Sequence, residues 1–160
     1  MFEYRITKYD PQFRDTRGAY TRDEWTAVSD VGQFFDGELL TTAEYHRVEN
    51  AYIASALSFC REAGVESLTV RGLENHGGVS PTISEGAVIP LEQVQPILTD
   101  VLREHYWCKL EGLDSFIHVG YDFYMYLGTP SECPTSIQLA GSLGLFVESF
   151  HSPYGDTDAA

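Results

Sequence analysis

Apolar and polar side chains alternate near the start of the chain, and this pattern predicts a β-strand. Phe2, Tyr4 and Ile6 are each followed by a polar residue, which is the period of two expected for a strand with one buried face. Pro11 marks the end of this segment because proline has no amide hydrogen to donate to a neighbouring strand. The sequence therefore predicts a strand over residues 2–8.

Two amphipathic helices are the most strongly indicated elements. Thr41 and Glu44 have the spacing of a capping box, and the residues after them are apolar at intervals of three and four. This pattern predicts a helix over residues 42–63. A second apolar stripe with the same periodicity predicts a helix over residues 91–105.

The remaining segments are shorter, and together with the first two helices they define a fold class. We predict one weak helix or two short helical turns over 22–35, strands over 67–73, 86–89, 106–111, 115–119, 124–127 and 145–150, and a short helix over 134–143. Strands and helices do not alternate strictly, which disfavours a doubly wound parallel sheet. We therefore expect an α+β fold with an antiparallel or mixed sheet and two main helices on one face. Residues 1–151 are predicted to form a single domain, and residues 152–160 a flexible acidic C-terminal tail.

The charge of the chain restricts the possible partners. There are 24 Asp and Glu residues against 10 Lys and Arg residues in 160, a formal net charge of −14. A surplus of this size disfavours binding to nucleic acid or to an anionic membrane surface, both of which require positive charge. After Lys109 the sequence contains no further Lys or Arg. This acidic region is interpreted either as a solvated face that keeps the protein soluble or as a docking face for a basic protein.

The cysteines and the hydropathy pattern indicate a reducing compartment. Cys60, Cys108 and Cys133 are odd in number and widely spaced, which favours free thiols over a disulfide framework or a structural zinc site. No apolar stretch reaches the roughly 18 residues needed to span a membrane, and the first residues lack the apolar core of a signal peptide. We therefore expect a cytoplasmic protein without metal or cofactor.

The common catalytic motifs are absent from the sequence, so only isolated histidines remain as catalytic candidates. His76 follows Glu74 in a glycine-rich loop, where a carboxylate could orient an imidazole for proton transfer. His118 lies in a predicted strand, four residues before Asp122. The alternative interpretation is a plain surface loop for His76, and core packing or a cross-strand hydrogen bond for His118.

Aromatic residues are dense in the last third of the chain and predict a recognition surface. Tyr121 and Tyr124 belong to a segment with too many rings for one face of a strand, so some of these rings are expected to be exposed. Tyrosine is favoured at interfaces because it combines a large area with a hydroxyl group. Together with Asp122, Glu132 and Trp107, the segment predicts an acidic and aromatic partner-binding surface. A sheet buried on both faces and a small-ligand pocket are the alternatives.

Five short segments can be compared with known proteins: Glu24-Trp25-Thr26, Leu40 to Tyr45, Gly120-Tyr121-Asp122, Tyr124-Met125-Tyr126 and Gly144 to Glu148. They resemble segments of a group of small acidic bacterial proteins of uncharacterised role. In size, acidity and α+β composition, the chain is also similar to immunity proteins of polymorphic toxin systems. This resemblance implies a protein that binds and blocks a toxin domain, often a basic nuclease, and it transfers no binding residue.

Three functional hypotheses follow from the sequence. The first is a non-catalytic acidic interaction protein of the immunity type that binds a basic toxin or nuclease domain. The second is a small-molecule-binding domain or a hydrolase-like enzyme that uses a histidine and a carboxylate in a pocket. The third is an adaptor that self-associates through Trp107 and the edge of a hairpin. The sequence leaves open whether the protein is a monomer or a homodimer.

Overall fold

The computed structural model describes residues 1–75 and 80–155. The described residues form three α-helices, which are α1 (Thr42–Glu62), α2 (Val94–Leu102) and α3 (Pro134–Ser142). The Thr41 side chain accepts a hydrogen bond from the Glu44 amide, as expected for the predicted N-cap. α2 begins three residues later than the predicted helix because Leu91–Gln93 forms a 3₁₀ turn.

The main sheet is antiparallel throughout. Its strands within the described residues are β1 (Phe2–Thr7), β4 (Ser67–Glu74), β5 (Val88–Pro90), β6 (Trp107–Glu111), β7 (Phe116–Val119), β8 (Met125–Thr129) and β9 (Phe146–Ser149). They lie in the order β5-β4-β6-β7-β8-β1-β9. The α+β prediction is confirmed, and of the two predicted kinds of sheet the antiparallel one is present.

The prediction of one weak helix over residues 22–35 was wrong, and of the alternative, two short helical turns, one turn is present. The structure instead has a 3₁₀ turn at Val28–Asp30, followed by a two-stranded hairpin of β2 (Phe34–Phe35) and β3 (Glu38–Leu39). The Asp30 carboxylate accepts hydrogen bonds from the Thr26 and Ala27 amides. Such a side chain competes with helical hydrogen bonding, so the helical spacing of the apolar residues does not produce a helix.

The hydrophobic core lies between the helices and one face of the main sheet. Tyr52 and Phe59 of α1 are fully buried and pack in the same cluster as Ile6 and Ile117 of the sheet. Leu98 of α2 is only 2% exposed, as the predicted apolar stripe requires. The helices thus shield one face of the sheet, which confirms the predicted layering.

The C-terminal segment packs against the opposite face of the sheet. The Tyr154 ring centroid lies 5.6 Å from that of Trp107 and 6.0 Å from that of Tyr126. The Ser152 hydroxyl lies 2.7 Å from Nδ1 of His118. Ser152 and Tyr154 of the predicted flexible tail are therefore in contact with the sheet, and residues 156–160 lie outside the described part of the chain.

The three cysteines are free and buried, in agreement with the expectation of reduced thiols. Burial raises the pKa of the Cys60 and Cys108 thiols to about 12, which keeps both protonated and poorly nucleophilic. Across residues 1–75 and 80–155, no helix has the length and apolar character needed to cross a membrane.

Candidate functional site: an acidic and aromatic cleft

A cavity of about 330 Å³ opens between the end of α2, the start of β6 and the turn that follows β7. We call it the acidic-aromatic cleft. Its carboxylates and rings belong to Glu74, Glu104, Asp122, Tyr106, Trp107, Tyr121 and Phe123. Small or apolar residues complete its wall, and two of them, Thr26 and Ala27, come from the segment before the Val28–Asp30 turn. The cleft therefore combines negatively charged groups with aromatic surface in one concave site.

The turn after β7 has an unusual backbone that is held by buried contacts. Asp122 and Phe123 both have φ of 62°, a conformation that few residues other than glycine adopt. The Phe123 ring is buried against Trp25, with centroids 5.0 Å apart. The Tyr9 hydroxyl donates to the Asp122 carbonyl (2.6 Å), and the Tyr52 hydroxyl donates to the Phe123 carbonyl (2.7 Å). These contacts fix the turn, so that its strained geometry is maintained by the surrounding structure.

Two aromatic side chains of the cleft differ in how firmly they are held. Trp107 is half-buried, and its Nε1 donates a 2.7 Å hydrogen bond to the Val119 carbonyl. Tyr121 is 81% exposed. Of these two rings, that of Trp107 is fixed in the wall of the cleft and that of Tyr121 is exposed to solvent on the neighbouring turn.

The end of α2 adds negative charge to the cleft, next to that of Asp122 on the turn after β7. Glu104 follows the helix with φ of 62°, and its amide donates to the Val101 carbonyl (3.0 Å). The C-terminal end of a helix carries partial negative charge, which adds to the carboxylate of Glu104. Arg103 does not neutralise this region, because its guanidinium makes hydrogen bonds of 2.9 and 2.8 Å to the buried Glu49 carboxylate.

The carboxylates of Asp122 and Glu104 are both exposed, and no Lys or Arg of the described chain forms an ion pair with either. The residues that line the cleft within the described ranges include no Lys, Arg or His. Glu74 ends β4 and pairs with Trp107 in the ladder with β6. The cleft is consequently a site of negative potential next to aromatic rings.

The structure brings together some of the predicted partner-binding residues and separates others. Trp107, Tyr121 and Asp122 all line the cleft. Tyr124 lies elsewhere, where its hydroxyl accepts a 2.8 Å hydrogen bond from Arg14. Glu132 is exposed beyond the far end of β8, a strand about 17 Å long. These two residues do not belong to the surface that surrounds the cleft.

The predicted pairing of His118 with Asp122 is not present. The His118 side chain is buried, with Nε2 3.3 Å from Oε1 of Glu111 and Nδ1 2.7 Å from the Ser152 hydroxyl. Burial lowers the pKa of His118 to about 4, although Glu111 acts in the opposite direction. The other pair of the enzyme hypothesis includes His76, which lies outside the described residues.

Ser152, His118 and Glu111 lie in a row that resembles a hydrolase triad, yet their surroundings favour a structural role. The His118 ring stacks on Phe116 with centroids 4.1 Å apart, and the Ser152 hydroxyl also accepts a 3.1 Å hydrogen bond from the Tyr154 amide. A histidine with so low a pKa is a weak general base near neutral pH. The row therefore attaches the C-terminal segment to the sheet.

A second cavity of about 380 Å³ lies near the start of α1, and we call it the Lys8 cavity. The ion pairs along its wall are Lys8–Glu24 (2.8 Å), Arg47–Glu44 (2.6 Å) and Arg22–Asp36 (3.5 Å). The Lys8 ammonium also lies 4.2 Å from the centre of the Trp25 ring. Burial lowers the pKa of Lys8, and the hydrogen bond to Glu24 opposes this effect.

Residues 1–75 and 80–155 contain no cluster of His, Cys, Asp or Glu that could hold a metal ion. The chain matches no known protein family, no curated protein and no solved structure.

Sequence reasoning did not find Glu104 as a residue of the cleft, nor the ion pair between Glu49 and Arg103. Glu104 falls inside the predicted helix over residues 91–105, and glutamate gives no signal of a positive φ, unlike glycine or asparagine. The Glu49–Arg103 pair joins residues 54 positions apart, so helical periodicity gives no sign of it.

Proposed function

We propose that this chain is a non-catalytic interaction protein that binds a basic protein partner through the acidic-aromatic cleft. The observation that carries the proposal is the position of Asp122 and Glu104, two exposed carboxylates without a cation in the described structure, beside Trp107 and Tyr121. Rings of this kind are enriched at the centres of interfaces, and unpaired charge provides complementarity for the opposite charge of a partner.

The charge of the whole chain supports the same proposal. A net charge of −14 attracts a basic protein over long distances and raises the rate of encounter at low ionic strength. The partner class that we propose is a basic toxin or nuclease domain. Carboxylates that occupy its phosphate-binding cleft would block substrate, as an immunity-type inhibitor does.

The test compares capture by the full chain with capture by a cleft variant and a matched control. The cleft variant is Asp122→Asn with Glu104→Gln, and the control is Asp114→Asn with Glu132→Gln at exposed sites away from the cleft. Both variants change the net charge equally. We expect immobilised wild-type and control chains to retain a basic protein from the native host, and the cleft variant to lose it.

Binding kinetics with the purified captured protein then test the mechanism. We expect the association rate to fall steeply as salt rises, since screening shortens the range of charge attraction. The cleft variant should associate at least about tenfold more slowly than the control. Salt-insensitive binding, or equal losses in both variants, would contradict the proposal.

Inhibition of the captured protein is tested separately, by measuring its activity in the presence of the chain. If the captured protein is a nuclease or another toxin, an equimolar amount of the chain should abolish its activity, and the cleft variant should be a much weaker inhibitor. A captured partner whose activity persists in a saturated complex would show that the chain binds without acting as an immunity protein.

A further inference from the structure

We infer that the acidic-aromatic cleft is a socket for one lysine or arginine side chain of the basic partner. The inference rests on the proposed function, because the partner supplies this side chain. It goes further by stating which chemical group enters the cleft and which groups of the chain recognise it.

The volume of the cleft suits a single side chain. At about 330 Å³ it falls at the small end of the range for ligand pockets. A cavity of this size holds one long side chain with its terminal group, whereas a helix or a strand needs a long open groove. The partner therefore contacts the rim with its backbone and inserts one residue.

The aromatic wall selects for an organic cation. Cations are attracted to the faces of indole and phenol rings, and the attraction increases when water is displaced. Trp107 is held in place through its bond to Val119, so its ring does not have to be ordered on binding. Tyr121 is exposed on the adjacent turn and can cover the aliphatic part of the inserted side chain.

The charged groups of the cleft also favour a cation over an anion or a neutral group. Asp122 and Glu104 approach the cavity from two different elements, the turn after β7 and the end of α2. The C-terminal end of α2 adds negative potential from its last carbonyl groups. An inserted ammonium or guanidinium group would supply the cation that these groups lack within the described structure, and an anion would be repelled.

The Lys8 cavity contains the same chemical arrangement with a cation of its own. There the Lys8 ammonium lies 2.8 Å from a carboxylate oxygen of Glu24 and 4.2 Å from the centre of the Trp25 ring. This fold therefore already holds an ammonium group between a tryptophan ring and a carboxylate. In the acidic-aromatic cleft, the ring and the carboxylates are present and the position is open to a partner.

The closing experiment uses small probes and the full chain, so it does not require the partner. N-acetyl-lysine methylamide and N-acetyl-arginine methylamide are titrated into the ¹⁵N-labelled protein, with N-acetyl-norleucine methylamide as the uncharged control. We expect millimolar dissociation constants for the two cations, with shifts centred on the Trp107 indole and on Tyr121. The norleucine probe should bind at least tenfold more weakly, and the Trp25 indole should not shift.

Variants then locate the binding. Asp122→Asn with Glu104→Gln should weaken cation binding at least fivefold, and Trp107→Leu should also weaken it, while Asp114→Asn with Glu132→Gln should leave it within twofold. The spectrum of each variant reports whether the fold is intact. If Trp107→Leu does not fold, the charge variants still decide the outcome.

Two outcomes would overturn the inference. One is equal affinity for the norleucine and lysine probes, and the other is equal weakening by the cleft variant and the control. If cationic probes fail while the cleft variant still loses a basic protein, the inference is wrong and the proposed function stands. If the probes bind while no basic protein is captured, the socket stands and the proposed function is wrong.

Discussion

The Lys8 cavity and the acidic-aromatic cleft have similar volumes, about 380 and about 330 Å³, and both place rings beside carboxylates. They differ in their cations. The wall of the first holds Lys8, Arg22 and Arg47, each paired with a carboxylate, together with Asp23 and Glu38, which form no ion pair within the described residues. The wall of the second holds carboxylates and, among the described residues, no Lys, Arg or His. A net charge of −14 therefore does not locate a binding site by itself. A concave site whose own wall holds no cation is the one that leaves room for a cation of the partner.

The largest expected effect tests the core that supports the cleft. Leu98 lies in α2, one turn before the residues that line the cleft, and is almost fully buried. Leu98→Ala leaves a cavity, so we expect it to lower the free energy of unfolding by about 2–5 kcal/mol in chemical denaturation. A cost below about 0.5 kcal/mol would contradict the packing of α2 against the sheet.

The next effect tests the paired charges of the Lys8 cavity. Glu24→Gln keeps the shape of the side chain and removes the charge beside the buried Lys8, so we expect a loss of about 1–3 kcal/mol in denaturation. Adding Lys8→Met should restore part of this loss because the uncompensated charge is then absent. Cation binding in the acidic-aromatic cleft should stay unchanged in both variants. A loss of that binding would show that the charges of the Lys8 cavity also determine cation binding in the acidic-aromatic cleft.

The pH dependence of stability separates the fold from the cleft. His118 has a folded pKa of about 4 against an ordinary value of 6.5, so the unfolded chain binds more protons between these values. The contribution of His118 to stability is therefore full above about pH 6.5 and is lost as pH drops toward 4, with a slope of at most about 1.4 kcal/mol per pH unit. Burial dominates this shift; Glu111 and Glu3 oppose it, and Lys109 reinforces it.

Denaturation measured across this pH range checks that prediction. We expect His118→Asn to flatten the slope, and the exposed His46→Gln to leave it unchanged as a control. A slope that persists in the His118 variant would assign the effect to other groups.

The smallest expected effect concerns the unpaired charge itself. Asp122→Asn should change stability by less than about 0.5 kcal/mol, since the side chain is exposed and asparagine tolerates the left-handed backbone at this position. Asp122→Val should cost at least about 1 kcal/mol because a branched side chain is strained there. Thermal denaturation of both variants checks this difference. A large loss in Asp122→Asn would mean that the carboxylate stabilises the fold and is not free for a partner.

Most of the fold could be predicted from the sequence, because the strongest signals, apolar periodicity and helix caps, act between residues that are close in sequence. The helix predicted over residues 42–63 is observed at Thr42–Glu62, since its apolar stripe and its capping threonine act within a few turns. Trp25 shows the limit of this reasoning. Its spacing to Val28 and Val31 is helical, yet the segment forms a turn and Trp25 reaches the core beside Phe123.

The cleft could be predicted only in part. Tyr121 and Asp122 were predicted because their segment is rich in rings and acidic, and Trp107 was predicted as a further aromatic residue of the same surface. The structure places all three at the cleft. Tyr124 and Glu132 were assigned to the same surface because they are close in sequence, but strand length and strand faces separate them in space. Long-range pairing of strands decides which side chains meet, and a single sequence does not report it.

The position of β1 has a consequence for how the chain is made. Arg5 pairs with Tyr126 on one side and with Glu148 on the other, so β1 lies between two strands that come more than a hundred residues later in the sequence. During translation, β1 emerges long before either neighbour exists, and its backbone groups remain open to water or to a chaperone. Such distant pairing slows folding and exposes strand edges on the way. The complete sheet can form only after β8 and β9 have been synthesised, so β1 stays without its two neighbours while all the residues between them are made.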